Sequence, residues 1–407
     1  MVVLLHRRIV PFVVATLLTA QAAFAQQITD PRGSARVHIG PIYATPGVAV
    51  QEFGVDTNVF NNFDEKKDFT FTVVPRATMW IPFARRALLT TAAATDVVYF
   101  QKYDSERSLN PQARLRGEGA MGRILAFAEG SYLSTRQRPN VEIDARLRRT
   151  ERAARLGTSI RIDEKLYVEL SGSQAEVDFA ADAVFNDVNM RETLNRTTRA
   201  ALVSFRDDVT PLTSVVVRGE AATNRFPLSA VRDSDTYSIM PGIELKPRAL
   251  ISGSAYLGVR RFTPRSPLLP TFNGTVASAT LNYTLRSSTR FGVTADRDVA
   301  YSFEPRQPYY VVDAYGLTIR RQIVGRTDIT GGAVRQQYTY RDFSSSQVPA
   351  GDARVDVTKT YSASVGYRFG QDTRVGFGAA YRQRESNNAA QRDYQGFRFI
   401  TTLEYGM

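Results

Sequence analysis

The chain contains no cysteine, which excludes a disulfide framework, a thiolate metal site and thiol redox chemistry. Histidine is nearly absent as well, His6 and His38 being the two present. His6 lies in the N-terminal stretch read below as a cleaved signal, so His38 stands alone in the exported chain. Histidine-dependent hydrolases need an imidazole base, and zinc sites need several convergent ligands. His38 supports neither and reads as a surface residue. No catalytic residue, no metal and no cofactor are expected, and the protein is not expected to be an enzyme. Lysine is scarce, with six (Lys66, Lys67, Lys102, Lys165, Lys246, Lys359) among 52 Lys and Arg residues. Beyond the N-terminus, no apolar run approaches the ~20 residues that a membrane helix requires.

The N-terminus begins Met1-Val-Val-Leu-Leu-His-Arg-Arg, continues with apolar Ile9 to Leu18, and ends Gln21-Ala-Ala-Phe-Ala25. Ala23 and Ala25 occupy the small positions that a signal peptidase reads, so residues 1–25 are expected to be a signal peptide cleaved after Ala25. Residues 26–47 are expected to be a periplasmic N-terminal segment and 48–407 a single barrel domain, since no linker or low-complexity tract divides them. A mean hydropathy of −0.25 does not argue against a membrane protein, because in a barrel only every second strand residue faces lipid.

Alternating apolar and polar runs recur down the chain and meet at eight short breaks, centred near Arg85, Gly122, Glu164, Pro211, Pro247, Ser288, Gly325 and Gln371. Longer polar segments lie between them: 57–67, 136–149, 182–191, 224–235, 264–273, 342–354 and 384–393. Tight turns on one side and long loops on the other are the asymmetry of outer-membrane barrels. The fold class is therefore all-β, a transmembrane antiparallel up-and-down barrel. Eight turns separating nine hairpins predict 18 strands with 16 as the alternative, the weakest being the first strand, near Val48, and the pair flanking the Arg-rich segment. A soluble sandwich would have strands of about five or six residues, and the repeat carries no blade signature of a propeller.

Charge tells the strand faces apart. In the run Ala87 to Tyr99, Leu89, Ala93 and Val97 face lipid and Asp96 the lumen. Ile251, Leu257 and Val259 face outward against Tyr256 and Arg260, and Tyr361, Val365 and Phe369 against Ser364 and Arg368. A charge at the bilayer midplane costs roughly 2 to 4 kcal/mol, so this segregation is what a spanning barrel requires. Tyr99, Tyr132, Tyr283, Tyr301, Tyr367 and Tyr381 are assigned to interfacial girdles. Phe397, Phe399, Leu403, Tyr405 and Met407 alternate to the terminus and resemble the signal read by the barrel-assembly machinery, although that signal usually ends in Phe or Trp.

The predicted lumen arginines are Arg196, Arg206, Arg218, Arg260, Arg286, Arg320, Arg368, Arg374, Arg382 and Arg398. Arginine keeps its charge and binds carboxylate or phosphate through a planar fork. A ring of such residues would favour anions, whereas pairing with lumen acids such as Asp96, Glu129, Glu169, Glu220 and Glu404 would leave little field. The densest basic run contains Arg136, Arg138, Arg146, Arg148, Arg149 and Arg152. Export argues against nucleic acid as its partner. A constriction that touches an anionic polysaccharide and an outer loop facing lipopolysaccharide both fit. The outer membrane with its lipopolysaccharide is the expected surrounding.

Gly40-Pro-Ile-Tyr-Ala-Thr-Pro46, Gly54-Val-Asp-Thr-Asn-Val-Phe-Asn61 and Asp68-Phe-Thr-Phe-Thr-Val-Val-Pro75, with Arg138-Pro-Asn140 and Glu142-Ile-Asp144, resemble the second putative β-barrel porin family. The resemblance implies an outer-membrane barrel, and a conduit role in exopolysaccharide export; it carries over no catalytic residue. Asp56-Thr-Asn58 reads as a turn-forming loop whose side chains bond their own backbone, with calcium binding as the alternative. The expected function is porin-like passage of hydrophilic or anionic solutes, or that conduit. The alternatives are a closed barrel serving structure or adhesion, and an outer-membrane enzyme acting on lipid or glycan.

Overall fold

The structure, a computed structural model, describes residues 33, 35–83, 86–247, 249–323, 325–342, 353–370, 372–387 and 392–406. The signal peptide with its cleavage point, the turn centres Arg85 and Gln371, and Met407 lie outside these residues.

Eighteen long strands form one closed antiparallel barrel, so the 16-strand alternative falls away. They are β1 (Ile42–Asp56), β2 (Asp68–Phe83), β3 (Ala87–Phe100), β4 (Ser108–Met121), β5 (Ile124–Thr135) and β6 (Arg149–Arg161). Next come β7 (Leu166–Phe179), β8 (Arg196–Thr210), β9 (Thr213–Arg225), β10 (Ser234–Leu245), β11 (Ile251–Pro264) and β12 (Phe272–Leu285). The last are β13 (Thr289–Tyr301), β14 (Tyr309–Gln322), β15 (Thr327–Arg341), β16 (Val355–Phe369), β17 (Thr373–Ser386) and β18 (Tyr394–Tyr405). Each pairs with the next, and β1 closes on β18. Strand lengths run from 12 to 16 residues, more than the ~9 to 11 that a tilted strand needs to cross.

The first strand begins at Ile42 rather than near Val48. Its opening residues pair with β2 (Tyr43↔Trp80) before pairing with β18 starts at Val48↔Tyr405. On their other edge Ile42 to Ala44 pair with Val37–Ile39, and Pro46 sits in the gap before Val48, where a residue without an N–H is tolerated. His38 precedes it in the short strand Val37–Ile39, its ring stacked 4.4 Å from Tyr43. The β1 register shifts against both neighbours between Val50 and Gly54, and Glu52 adopts φ 55° there, a bulge at the closing seam. A Cβ on Gly54 would lie 1.9 Å from the Phe399 carbonyl oxygen, so only glycine lets the first and last strands meet. Gly54→Ala is expected to block closure, read as loss of the fast-migrating folded band on unheated gels.

The face assignments hold. Asp96 and Tyr256 are buried inside, while Leu257, Val259, Val365, Phe369, Phe377 and Phe399 are exposed outside. Two expectations change. Arg286 is no lumen residue: Arg286 and Ser287 form the tight β12–β13 turn at φ 49° and 57°, the left-handed pair of a primed hairpin turn, and Arg286 is exposed. Tyr301 belongs to no girdle, because its end of the β13–β14 hairpin bends into the bore. β12 and β13 pair only from Leu285↔Thr289 to Ala277↔Arg297. Beyond that point Tyr301, Tyr309 and Val311 pack on inward Phe262, Phe272 and Val276.

Candidate functional site

The long-loop end of the bore is narrowed by residues 136–148, which connect β5 to β6 and reach nearly across the barrel. The side chain of Asn140 accepts from the Ile143 amide at 2.8 Å, and Arg138 Nε donates to the Asp144 carbonyl at 2.6 Å, so the loop folds on itself. Its centre is buried: Glu142 is 2% exposed and Ile143 0%. Ile143 and Leu147 join Met190 and Leu194, from the segment between β7 and β8, and Phe303, from the β13–β14 loop, in one apolar cluster. On the far wall Arg384 Nη1 donates to Asp144 at 2.9 Å while its Nη2 donates to Asp356 at 2.6 Å. Arg138 and Arg146 both donate to the Val59 carbonyl, at 2.5 and 3.1 Å, and Asn61 donates to Asp144 at 3.2 Å. The β1–β2 loop thereby becomes the third support. The Asp56-Thr-Asn58 turn forms as read: Asp56 accepts from the Asn58 amide at 3.0 Å and Asn58 from the Asn62 amide at 3.1 Å.

Of the basic run, Arg138, Arg146 and Arg149 therefore turn inward, Arg149 donating to Glu151 at 2.6 Å and to the Gln137 carbonyl at 2.6 Å. Arg136 donates to the Ser105 carbonyl. Arg148 is exposed, and Arg152 lies on β6 facing outward. The run is one inward-folded loop with a strand start, and its buried acids anchor it as firmly as its arginines.

Ser302 donates to Glu142 at 2.6 Å, and the second carboxyl oxygen has no partner among the described residues. Burial pushes this carboxyl up to about 7, with the Ser302 hydroxyl, Arg354 and Arg392 pulling it down and Glu304 pushing it up; the Tyr310 and Tyr340 phenols and Arg232 also face it. Burial likewise raises Asp144, against the pull of Arg384 and Arg138. A folded-state value raised above the ordinary one means that the docked loop favours the protonated acid. Its contribution is full at low pH and is lost as pH rises from the ordinary carboxylate range through about 7. Wild-type channel current is expected to change between about pH 5 and about pH 8, and Glu142→Gln to flatten that dependence in planar-bilayer recordings.

The predicted lumen arginines mostly meet carboxylates. Arg206 donates to Asp208 at 2.9 Å, Arg218 to Glu244 at 2.8 Å, and Arg260 pairs with Asp298. Arg320 and Arg374 hold Asp328 from both sides at 2.9 and 2.8 Å. Arg374 reaches it across Gly366, where a Cβ would lie 2.1 Å from its guanidinium. Arg382 and Arg398 converge on Asp56 at 2.8 and 2.7 Å. Arg196 lies 5.7 Å over the Tyr301 ring. Arg368 sits opposite Arg374 without an ion pair among the described residues. The lumen acids pair as well: Glu129 with Arg114 and Arg116, Glu169 with Arg155, and Glu220 with Arg260, while Asp96 accepts from Gln137. Sequence reading missed Arg384, placing it in a loop. Extending the Arg374 and Arg382 register by two residues would have turned it inward.

OprD of Pseudomonas aeruginosa is similar at TM-score 0.49 and 9% identity, covering 93% of this chain and 98% of its own. A BenF-like porin from Pseudomonas fluorescens Pf-5 gives TM-score 0.49 and 9% identity over 89% and 99%. The outer membrane protein opdK from Pseudomonas aeruginosa gives 0.47 and 9% over 89% and 98%. No curated protein matches. The family model described as putative beta-barrel porin 2 matches residues 30–405, nearly the whole chain. The chain belongs to the putative beta-barrel porin 2 family and is an outer-membrane, porin-like β-barrel.

Proposed function

We propose that this barrel passes small hydrophilic solutes passively, with a bias toward anions, through a bore narrowed by residues 136–148. The observation that carries the reading is lumen arginine without a carboxylate of its own: Arg320 and Arg374 share Asp328, Arg368 sits opposite Arg374 without an ion pair among the described residues, and Arg196 meets the Tyr301 ring. The charge left over gives the bore a positive field that draws anions. Because most lumen arginines are paired, the bias is a modest one set by this excess. Passive transport needs no catalytic group. Export after cleavage at Ala25 and insertion through the assembly machinery, read from Phe397, Phe399, Leu403 and Tyr405, complete the proposal.

Purified protein in planar bilayers tests it. Conductance steps with a reversal potential displaced toward the anion side in a salt gradient are expected, and a membrane that stays silent sinks the pore reading in favour of a closed structural barrel. Passage of an exopolysaccharide is the second reading, and it rests on Arg138 and Arg146 in the crossing loop. Blockade of the current by an acidic polysaccharide, with no effect from a neutral one, would favour it.

A further inference from the structure

Near the long-loop ends of the strands, the outward residues divide the barrel into two arcs. On β1 to β5 they are apolar: Phe53, Val97, Leu109 and Tyr132 are exposed, and Phe71 stacks on Tyr99. From β6 to β16 the corresponding level carries Arg152, Arg199, Arg261, Arg297, Arg335 and Lys359, with the acids Glu176, Asp178, Asp235 and Asp313 set among them. Alternation places each on the lipid side, because Arg152 shares its face with exposed Leu156, Arg199 with Val203, Arg261 with Val259, Arg297 with Val293, Arg335 with Ile329 and Lys359 with Tyr361.

These cations are compensated only in part. Asp313 holds Arg297, and Glu385 holds Lys359 at 3.1 Å. Arg199 and Arg335 reach only the amide oxygens of Gln174 and Gln337, at 3.0 and 2.9 Å. Arg152 stands directly opposite outward Glu176 on β7 without forming an ion pair, and the Arg261 side chain has no hydrogen bond or ion pair among the described residues. Arg335 and Lys359 are direct cross-strand partners, like charges that destabilise a sheet, and Glu385 compensates only the Lys359 member. At the short-turn ends the outward residues include Phe83, Met121, Phe369 and Tyr405, with Arg321 on β14 the exception, so this basic arc is concentrated in one leaflet. Solvation alone would treat both arcs alike; a bound anion on one arc accounts for the difference.

We infer that the outward face of β6 to β16, at its long-loop end, binds the phosphorylated headgroup of an outer-leaflet glycolipid. Arg335 and Lys359 take one phosphate between them, and Arg152 and Arg261 supply further contacts. Guanidinium forks suit phosphate oxygens bidentately, and the aromatic arc leaves the other side to acyl chains. The inference rests on the outer-membrane placement and is independent of whether the bore conducts.

The test is retention of lipid by the detergent-solubilised barrel, read by native mass spectrometry with bisphosphorylated lipid A, the same lipid A after phosphatase treatment, and inorganic phosphate as competitor. Wild type is expected to retain the bisphosphorylated form selectively. The triple variant R152Q/R261Q/R335Q is expected to retain about tenfold less, with folded gel migration and conductance unchanged, since none of the three faces the lumen. R335Q alone serves if the triple fails to fold, and should also lower retention. Equal retention of dephosphorylated lipid A, unchanged retention by the variants, or displacement by inorganic phosphate at millimolar concentration would overturn the inference.

Discussion

Replacing residues 138–146 with a short glycine-serine segment is expected to raise single-channel conductance several-fold while the barrel stays folded. The loop starts between β5 and β6 and ends its reach on β17 and on the β13–β14 hairpin, nearly half the circumference away, so it crosses the bore. Three kinds of contact hold it there: the Asp144–Arg384 pair at 2.9 Å, the Ser302–Glu142 bond at 2.6 Å, and the apolar packing of Ile143 and Leu147 on Met190 and Phe303. None lies within a strand-to-strand ladder, so wall hydrogen bonding survives the exchange. Arg384→Gln should act in the same direction more weakly, since it frees one anchor and leaves Asp356 with Arg354. Unchanged conductance in both variants would mean that solutes bypass the loop.

Asp56→Asn is expected to destabilise the barrel by about 3 to 5 kcal/mol, the cost of removing one member of a buried charge cluster. Asp56 is fully buried at the end of β1, where it accepts from Arg382 at 2.8 Å and from Arg398 at 2.9 and 2.7 Å. Arg398 belongs to β18 and Arg382 to β17, so the carboxylate ties the closing seam from inside. The amide would leave two guanidiniums facing each other in the wall. Urea unfolding followed by tryptophan emission or gel shift measures the loss. Adding Arg382→Gln should recover part of it if charge balance is the cause, whereas Glu52→Gln, at a carboxylate left half-exposed, should cost much less. Recovery by neither would assign the effect to shape.

The alternation of apolar and polar residues determined the barrel, its 18 strands, its tight turns and the direction of nearly every side chain. That legibility has a local cause: in a strand the side-chain period is two, so a charge such as Asp96 or Arg374 assigns a whole strand to its faces. The same rule reached Arg374, Arg382 and Arg398, and continued by two residues it would have reached Arg384. Arg286 escaped it because a three-residue break carries no register; backbone twist at positive φ put that side chain outside.

Only the tertiary structure decided what fills the bore. Nothing periodic in residues 136–148 says that the loop turns inward, because its anchors Arg384, Asn61 and Ser302 are distant in sequence, and a contact across a barrel leaves no local pattern. Tyr301 was misassigned for the same reason: its register is outward by alternation, but its hairpin leaves β12 beyond Arg297 and bends over the lumen. Pairing too was beyond the sequence, since whether an arginine meets a carboxylate depends on which neighbouring strand supplies it and on gaps such as Gly366. Local periodicity writes the wall of this protein, and long-range side-chain contacts write its bore.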